Sequence, residues 1–173
     1  MHFPYLSRAP QFASAVFVAA NATIVGSVSL GLNSSVFYGA VLRGDINEIT
    51  IGDRTNIQDN VIVHVADAHA ASIGAKCTIG HAAIVHGATI EDECLIGMAA
   101  TVLDGARIGT QSLVAANSLV LQNFSCPPGS LVMGSPARVA RVLTSSEREA
   151  LQEMAEKYVL VASAHAKLSK APR

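Results

Sequence analysis

Aliphatic residues recur every six positions along most of the chain, with two longer spacings and one five-residue step. Glycine often follows the aliphatic residue, and a small or β-branched residue comes four positions after it, as at Ala22, Ala40 and Thr89. A period of six does not fit an α-helix, but it is a multiple of the strand period of two. The aliphatic positions are Val18, Ile24, Leu30, Val36, Leu42, Ile51, Ile57, Val63, Ile73, Ile79, Val85, Ile90, Ile96, Val102, Ile108, Val114 and Val120.

This period predicts an all-β repeat in which each hexapeptide forms a short strand and a corner. Three hexapeptides then complete one triangular coil, with the aliphatic side chain inside and glycine at tight backbone angles. Stacked coils pair parallel strands about 4.8 Å apart, so residues about 18 positions apart lie above one another. Proteins with a similar hexapeptide pattern form left-handed parallel β-helices, and we take the handedness from that similarity.

The repeat ends near Cys126, and a helical pattern follows from Thr144 to Leu168. Thr144 and Glu147 have the spacing of a capping box. Apolar residues then recur at helical spacing, which predicts a helix packed along the outside of the β-helix. We expect one domain, with the β-helix in residues 1–143 and the helix in residues 144–173.

Composition narrows the class of protein. Half of the residues are hydrophobic and only 14% are charged, which suggests that other copies of the chain cover part of its surface. A net charge of -1 without a basic run argues against nucleic-acid or anionic-membrane partners. No apolar stretch approaches the roughly 20 residues of a membrane span. Three cysteines without CxxC spacing indicate a reducing compartment, and we expect a cytoplasmic protein.

Two histidines occupy equivalent positions on adjacent coils. Val63 and Ile73 are ten residues apart where six are expected, so about four residues form a loop. Without that excess, the 22-residue separation of His64 and His86 becomes one coil. Both histidines follow an interior valine, so they stack on one outer face, where two imidazoles can bind one ion.

A third histidine, His81, precedes His86 by five residues, a distance of roughly 16 Å in extended chain. It therefore lies near a neighbouring corner, too far away to share an ion with His64 and His86 of its own chain. Three chains around a three-fold axis bring His81 of one subunit to the histidine pair of the next. We therefore expect a homotrimer with three equivalent metal sites.

These residues resemble the gamma-class carbonic anhydrase family over most of the chain. The matching segments are Arg43-Gly44-Asp45, the run from Gly52 to Asp59, His64, Gly80-His81, His86-Gly87 and Ile96-Gly97-Met98.

The resemblance implies that His64, His81 and His86 bind Zn²⁺, with Fe²⁺ or Co²⁺ as other possible metals, at trimer interfaces. It further implies that Arg43 and Asp45 tie subunits together beside the site. Asn56 and Gln58 are expected to line the pocket, where Gln58 holds the metal-bound water or the substrate. Tyr158 matches a tyrosine of the family's C-terminal helix that approaches the site.

Three neutral imidazoles leave the fourth zinc position open for water, whose pKa the ion lowers to about 7. Attack of the resulting hydroxide on carbon dioxide gives bicarbonate. The chain departs from the family prototype at Ile46, where the prototype has glutamate, and in a shorter loop that lacks its proton-shuttling glutamate. Asp67 and His69 lie on this short loop, and His69 is a candidate substitute shuttle.

Three functions therefore compete. The first is a zinc-dependent carbonic anhydrase. The second is a metal-binding scaffold with little hydratase activity, as in relatives described as ferripyochelin-binding proteins. The third is a hexapeptide acyltransferase, for which the paired histidines are superfluous.

Overall fold

The computed structural model describes residues 1–12 and 15–169 of the chain. Within them the chain forms short strands followed by one long helix, in the order that the repeat predicts. The elements are β1 (His2–Phe3), β2 (Phe17–Val18), β3 (Thr23–Leu30), β4 (Ser35–Val36), β5 (Val41–Ile51), β6 (Asn56–Ile57), β7 (Ile62–His64), β8 (Ala71–Ile73), β9 (Thr78–Ile79), β10 (Ile84–His86), β11 (Thr89–Ile90), β12 (Leu95–Ile96), β13 (Thr101–Val102), β14 (Arg107–Ile108), β15 (Leu113–Val114), β16 (Leu119–Val120), β17 (Ser125–Cys126), β18 (Ser130–Gly134), β19 (Ala137–Val142) and α1 (Ser145–Leu168).

The strands form a three-sided parallel coil. Face A contains the first halves of β3 and β5, followed by β7, β10, β13 and β16. Face B contains the second halves of β3 and β5, followed by β8, β11, β14 and β17. Face C runs from β2 through β4, β6, β9, β12 and β15 to β18, and the antiparallel β19 ends it. The predicted parallel β-helix with a C-terminal helix is therefore confirmed.

The predicted aliphatic ladder forms the interior. All of its members are buried except Val18, which is partly exposed in the first coil. One predicted small position is wrong, because Thr89 is half-buried and Ala88 is 1% exposed. The five-residue step from Val85 to Ile90 removes a residue before this position. The position of the buried small residue is consequently set by the aliphatic residue that follows it, two positions later.

Polar small residues at one corner connect successive coils. The Thr55 hydroxyl donates to the Gly74 carbonyl at 2.7 Å, and the Cys77 thiol donates to the Glu91 carbonyl at 3.0 Å. The neighbouring Cys77 thiol, together with burial, raises the pKa of Cys94. The Cys94 thiol is therefore protonated, and both thiols are buried, as expected of structural cysteines.

Helix α1 packs against face C, where it contacts β2, β6 and β9. Thr144 is the N-cap, and its side chain and that of Glu147 form the predicted capping box. The helix buries Leu151, Ala155 and Ala162. The last four positions of the predicted segment 144–173 lie outside the described residues. Within the described part of the chain, no helix has the length and hydropathy needed to cross a bilayer.

The interior ladder predicts a large stability cost for truncation. Ile96→Ala, at a fully buried position, is expected to lower the free energy of unfolding by about 2–5 kcal/mol through lost burial and a residual cavity. Urea denaturation measures this change. Leu160→Ala is the matched control, because Leu160 is 74% exposed on α1. Equal losses in the two variants would show that the ladder does not form the core.

The helix cap predicts a pH-dependent contribution to stability. Hydrogen bonds from Arg141 and from the Thr144 backbone lower the pKa of Glu147 from 4.5 to about 2. Because the folded pKa is depressed, this stabilisation is complete above pH 4.5 and is lost as the pH falls through about 2. Thermal unfolding of Glu147→Gln is therefore expected to differ from wild type at neutral pH and to converge with it in acid.

Glu149→Gln, an exposed change in the same helical turn, serves as the control. A Glu147→Gln difference that persists unchanged into strong acid contradicts this role of the carboxylate.

Candidate metal centre

His64 and His86 lie side by side on face A. Their strands β7 and β10 pair in parallel, with Val63 opposite Val85 and His64 opposite His86. The loop that restores this register leaves the coil after Val65, and a pair of backbone hydrogen bonds between Ala66 and His69 closes it. The Nδ1 atom of His64 and the Nε2 atom of His86 are 2.9 Å apart. The sequence register therefore placed this pair correctly.

A carboxylate holds the outer nitrogen of each ring. His64 Nε2 lies 3.1 Å from Asp45 Oδ1, and His86 Nδ1 lies 2.5 Å from Asp104 Oδ1. An ionised carboxylate only accepts hydrogen bonds, so each outer nitrogen carries a proton in the neutral ring. The two facing nitrogens are then both lone-pair donors. Such lone pairs repel each other unless a cation lies between them.

This donor set fits a zinc-type ion. Two nitrogen ligands of a tetrahedral zinc, each at about 2.0–2.1 Å, are separated by about 3.3 Å. The observed 2.9 Å requires an opening of only a few tenths of an ångström. Histidine ligands commonly donate their other N–H to a carboxylate, which fixes the ring orientation. Asp45 and Asp104 occupy these positions here.

Arg43 and Asp45 form an ion pair beside the histidines, with Arg43 Nη1 2.5 Å from Asp45 Oδ2. Burial opposes ionisation of Asp45, but hydrogen bonds from Arg43 and His64 outweigh it and lower the pKa of the carboxyl group. Asp45 is consequently an anion at neutral pH. The Arg43 side chain is 48% exposed and leaves part of its guanidinium open on face A.

His81 lies elsewhere, at the corner between β9 and β10. Its Nδ1 atom is 2.8 Å from Asp59 Oδ2, and its side chain is 46% exposed. Asp59 and His81 are stacked corner residues, since the Ala82 N–H donates to the Asp59 carbonyl of the previous coil. The Asp59 carboxylate favours a proton on Nδ1, so Nε2 of His81 is the nitrogen whose lone pair is free to bind a metal ion.

An amide network supports the pocket beside His81. Gln58 is 4% exposed, and its Nε2 donates to Asn56 Oδ1 at 3.1 Å. Asn56 in turn donates to Thr78 Oγ1 at 2.9 Å and to the Cys77 carbonyl at 3.2 Å. Tyr158 of α1 lines the same cavity as Gln58 and His81. Burial, with a contribution from the Asp59 charge, raises the pKa of Tyr158, so its hydroxyl stays protonated.

The predicted site residues thus form two separate groups in one chain. The first, on face A, contains Arg43, Asp45 and the paired histidines. The second, at the corner of face C, contains Asn56, Gln58, His81 and Tyr158. Among residues 1–12 and 15–169, no three histidine, cysteine or acidic side chains are grouped so that they could hold a metal ion. A centre with three histidine ligands would need a second chain.

Asp104 and Asp59 were not predicted from the sequence as histidine partners, although counting the register finds Asp59 and comes within one residue of Asp104. Asp104 follows His86 by 18 residues, one more than the 17 residues that separate Val85 from its strand partner Val102. Asp59 precedes His81 by 22 residues, the same spacing that relates His64 to His86 across the loop. An acidic residue within one position of the coil register of a histidine was therefore the missed signal.

The structure also shows the two features in which the sequence differs from the family prototype, namely Ile46 and the short loop that carries Asp67 and His69. Ile46 is 46% exposed next to Asp45. Asn47 donates to the carbonyls of Ala66 and Asp67 at 3.1 and 3.3 Å, which ties the short loop to β5. The ring of His69 lies over Gly105, where a Cβ atom would be 3.3 Å from its Cε1.

Comparison with known proteins identifies the relatives of this chain. The sequence model "Hexapeptide repeat of succinyl-transferase" matches residues 70–98 and 87–122. A Bacillus cereus crystal structure described as a putative acetyltransferase superposes with a TM-score of 0.94 at 36% identity, covering 97% of this chain and 98% of that one. The predicted left-handed hexapeptide-repeat β-helix is thereby confirmed.

Two relatives in sequence carry a more specific name. "Gamma carbonic anhydrase 2, mitochondrial" of Arabidopsis thaliana is 43% identical over 165 residues, covering 92% of this chain but only 59% of its own length. "Carbonic anhydrase" of Geobacillus kaustophilus is 38% identical over 159 residues, covering 92% of this chain and 87% of that protein. With these similarities and the paired histidines in register, the chain belongs to the gamma-class carbonic anhydrase family.

Proposed function

We propose that this protein is a zinc-dependent carbonic anhydrase that hydrates carbon dioxide reversibly at the interfaces of a homotrimer. The observation that carries the proposal is the His64–His86 pair, whose facing nitrogens are 2.9 Å apart and whose outer nitrogens are held by carboxylates. His81 of a second copy is the third ligand. The relatives named carbonic anhydrase support the reaction.

A bound zinc-type ion supplies a Lewis acid and makes a hydroxide nucleophile available near neutral pH. Imidazole ligands also suit Fe²⁺ and Co²⁺. The remaining chemistry belongs to the chain. Asp45, Asp104 and Asp59 fix the rings of His64, His86 and His81, so that one nitrogen of each ring is free to bind the ion.

Residues of the pocket orient the reactants. Asn56 holds one N–H of Gln58, and the other N–H and the amide oxygen of Gln58 remain for the nucleophile or for carbon dioxide. The protonated Tyr158 hydroxyl is a second donor on the same cavity. In the proposed trimer, Arg43 on face A of the neighbouring subunit faces this cavity and attracts the bicarbonate anion. Asp67 and His69 are the candidates for carrying the proton to solvent, because the family's shuttle glutamate is absent.

One observation favours a second function, that of a metal-binding scaffold with little hydratase activity. Ile46 exposes an apolar side chain where the family prototype has an acidic one. An isoleucine neither accepts nor releases a proton, so proton transfer would depend on the short loop alone. The partners and the location in the cytoplasm stay predictions.

Metal content and subunit mixing test the shared site. His81→Ala and His64→Ala each remove one ligand, so each homotrimer is expected to lose tight zinc binding and carbon dioxide hydration. In a mixed trimer, the intact pair of one His81→Ala chain meets the intact His81 of one His64→Ala chain. Each mixed trimer therefore regains one site. When equal amounts of the two variants assemble at random, the mixture is expected to regain about a quarter of the wild-type zinc content and of the wild-type hydration rate measured by stopped flow.

Mixing that restores nothing, while wild-type protein binds zinc, would show that the ligands come from one chain or that His81 is not a ligand. Wild-type protein that takes up no transition metal on reconstitution rules out the whole site. Zinc uptake without hydration identifies the scaffold.

The carboxylate partner of His86 provides a further test. Asp104→Asn keeps the shape but removes the anion that fixes the His86 tautomer, so zinc affinity is expected to fall about 10–100-fold. Competition with a chromophoric chelator measures the affinity. Asp92→Asn is the control, because Asp92 Oδ1 accepts a backbone N–H at another corner, from Ala75 at 2.8 Å. Equal zinc affinities in the two variants contradict the role of Asp104.

A further inference from the structure

A cavity of about 330 Å³ lies between face C and helix α1, and His81 forms part of its wall. Most of the lining is aliphatic, from strands β12 and β15, the corners that follow them and one turn of the helix. The apolar lining includes Leu95, Met98, Leu113, Val114 and Met154.

The polar groups of the cavity belong to Gln58, His81 and Tyr158, with Thr78 behind them. Gln58 and Tyr158 offer an amide N–H and a neutral hydroxyl, and both donate hydrogen bonds. The free Nε2 of His81 is the nitrogen assigned above to the metal. The cavity therefore combines a group of anion-binding donors with an extended apolar wall.

The volume exceeds what carbon dioxide needs. A triatomic molecule of this kind is comparable in size to water, which occupies about 30 Å³ in the liquid. Pockets for organic molecules begin at about 300 Å³ and are mostly apolar, with a few placed polar groups. This cavity reaches that range, so its apolar wall can accommodate several carbon atoms beyond the reacting group.

We propose that the cavity binds short-chain aliphatic monocarboxylates. The carboxylate group accepts hydrogen bonds from Gln58 and Tyr158, beside His81, and the alkyl chain lies against Leu95, Met98 and Leu113. A carboxylate has the O–C–O group of bicarbonate, with an alkyl chain in place of the hydroxyl. The proposal rests on the proposed function for its anchor, since the carboxylate takes the place of bicarbonate beside the metal ligand His81.

Chain length is the variable that tests the apolar wall. Isothermal titration of zinc-loaded protein with formate, acetate, propionate, butyrate and pentanoate measures each dissociation constant. Each added methylene buried in the cavity is expected to tighten binding about fourfold, from roughly 0.8 kcal/mol per methylene. Leu113→Asn is expected to flatten this series without abolishing formate binding. Leu121→Asn, at a residue 44% exposed and outside the cavity lining, is expected to keep the wild-type slope.

A flat wild-type series with formate still bound overturns the inference and leaves the proposed function intact, as when a neighbouring subunit fills the cavity. A slope that survives Leu113→Asn also overturns it, because the alkyl chain then lies elsewhere. If no carboxylate binds at all, the inference is wrong. The zinc content of the same sample then shows whether the proposed function fails with it.

Discussion

The register between successive coils is the constraint on which the rest of this structure depends. Each strand is only two or three residues long over most of the β-helix, so a strand is held by its neighbours above and below and by the interior ladder. A slip of one residue would turn every aliphatic side chain outward. The same register brings His64 to His86 and Asp59 to His81. Core packing and site chemistry are therefore set by one pattern.

The two parts of the candidate site use the triangular cross-section differently. On a flat face, two side chains from adjacent coils converge, and the pair on face A offers two nitrogens to one ion. At a corner, side chains diverge from the neighbouring faces, and His81 is 46% exposed there. One chain therefore presents the two ligand sets in separate places, and a closed ring of copies can join them. In the proposed homotrimer, assembly would complete the metal site.

The interior ladder and the His64–His86 pair could be predicted from the sequence because both follow a strict period. The sequence-based predictions fail where the period changes or where a side chain lies outside the strand register. Thr89 was misplaced because the five-residue step removes a residue before the small position. Asp104 was missed because it lies one residue beyond the strand partner of His86, at the corner. The cavity beneath α1 depends on how the helix packs, which the periodicity of neither element specifies.

We propose that one metal ion joins the histidine pair of one chain to His81 of another. A crystal structure of the zinc-loaded protein, with anomalous diffraction at the zinc edge, would show which residues bind the ion. We expect one zinc per chain, bound by His64 and His86 of one subunit and by His81 of its neighbour, with three Zn–N distances of about 2.0–2.1 Å. Zinc bound within a single chain, or at a place that excludes His81, would contradict it.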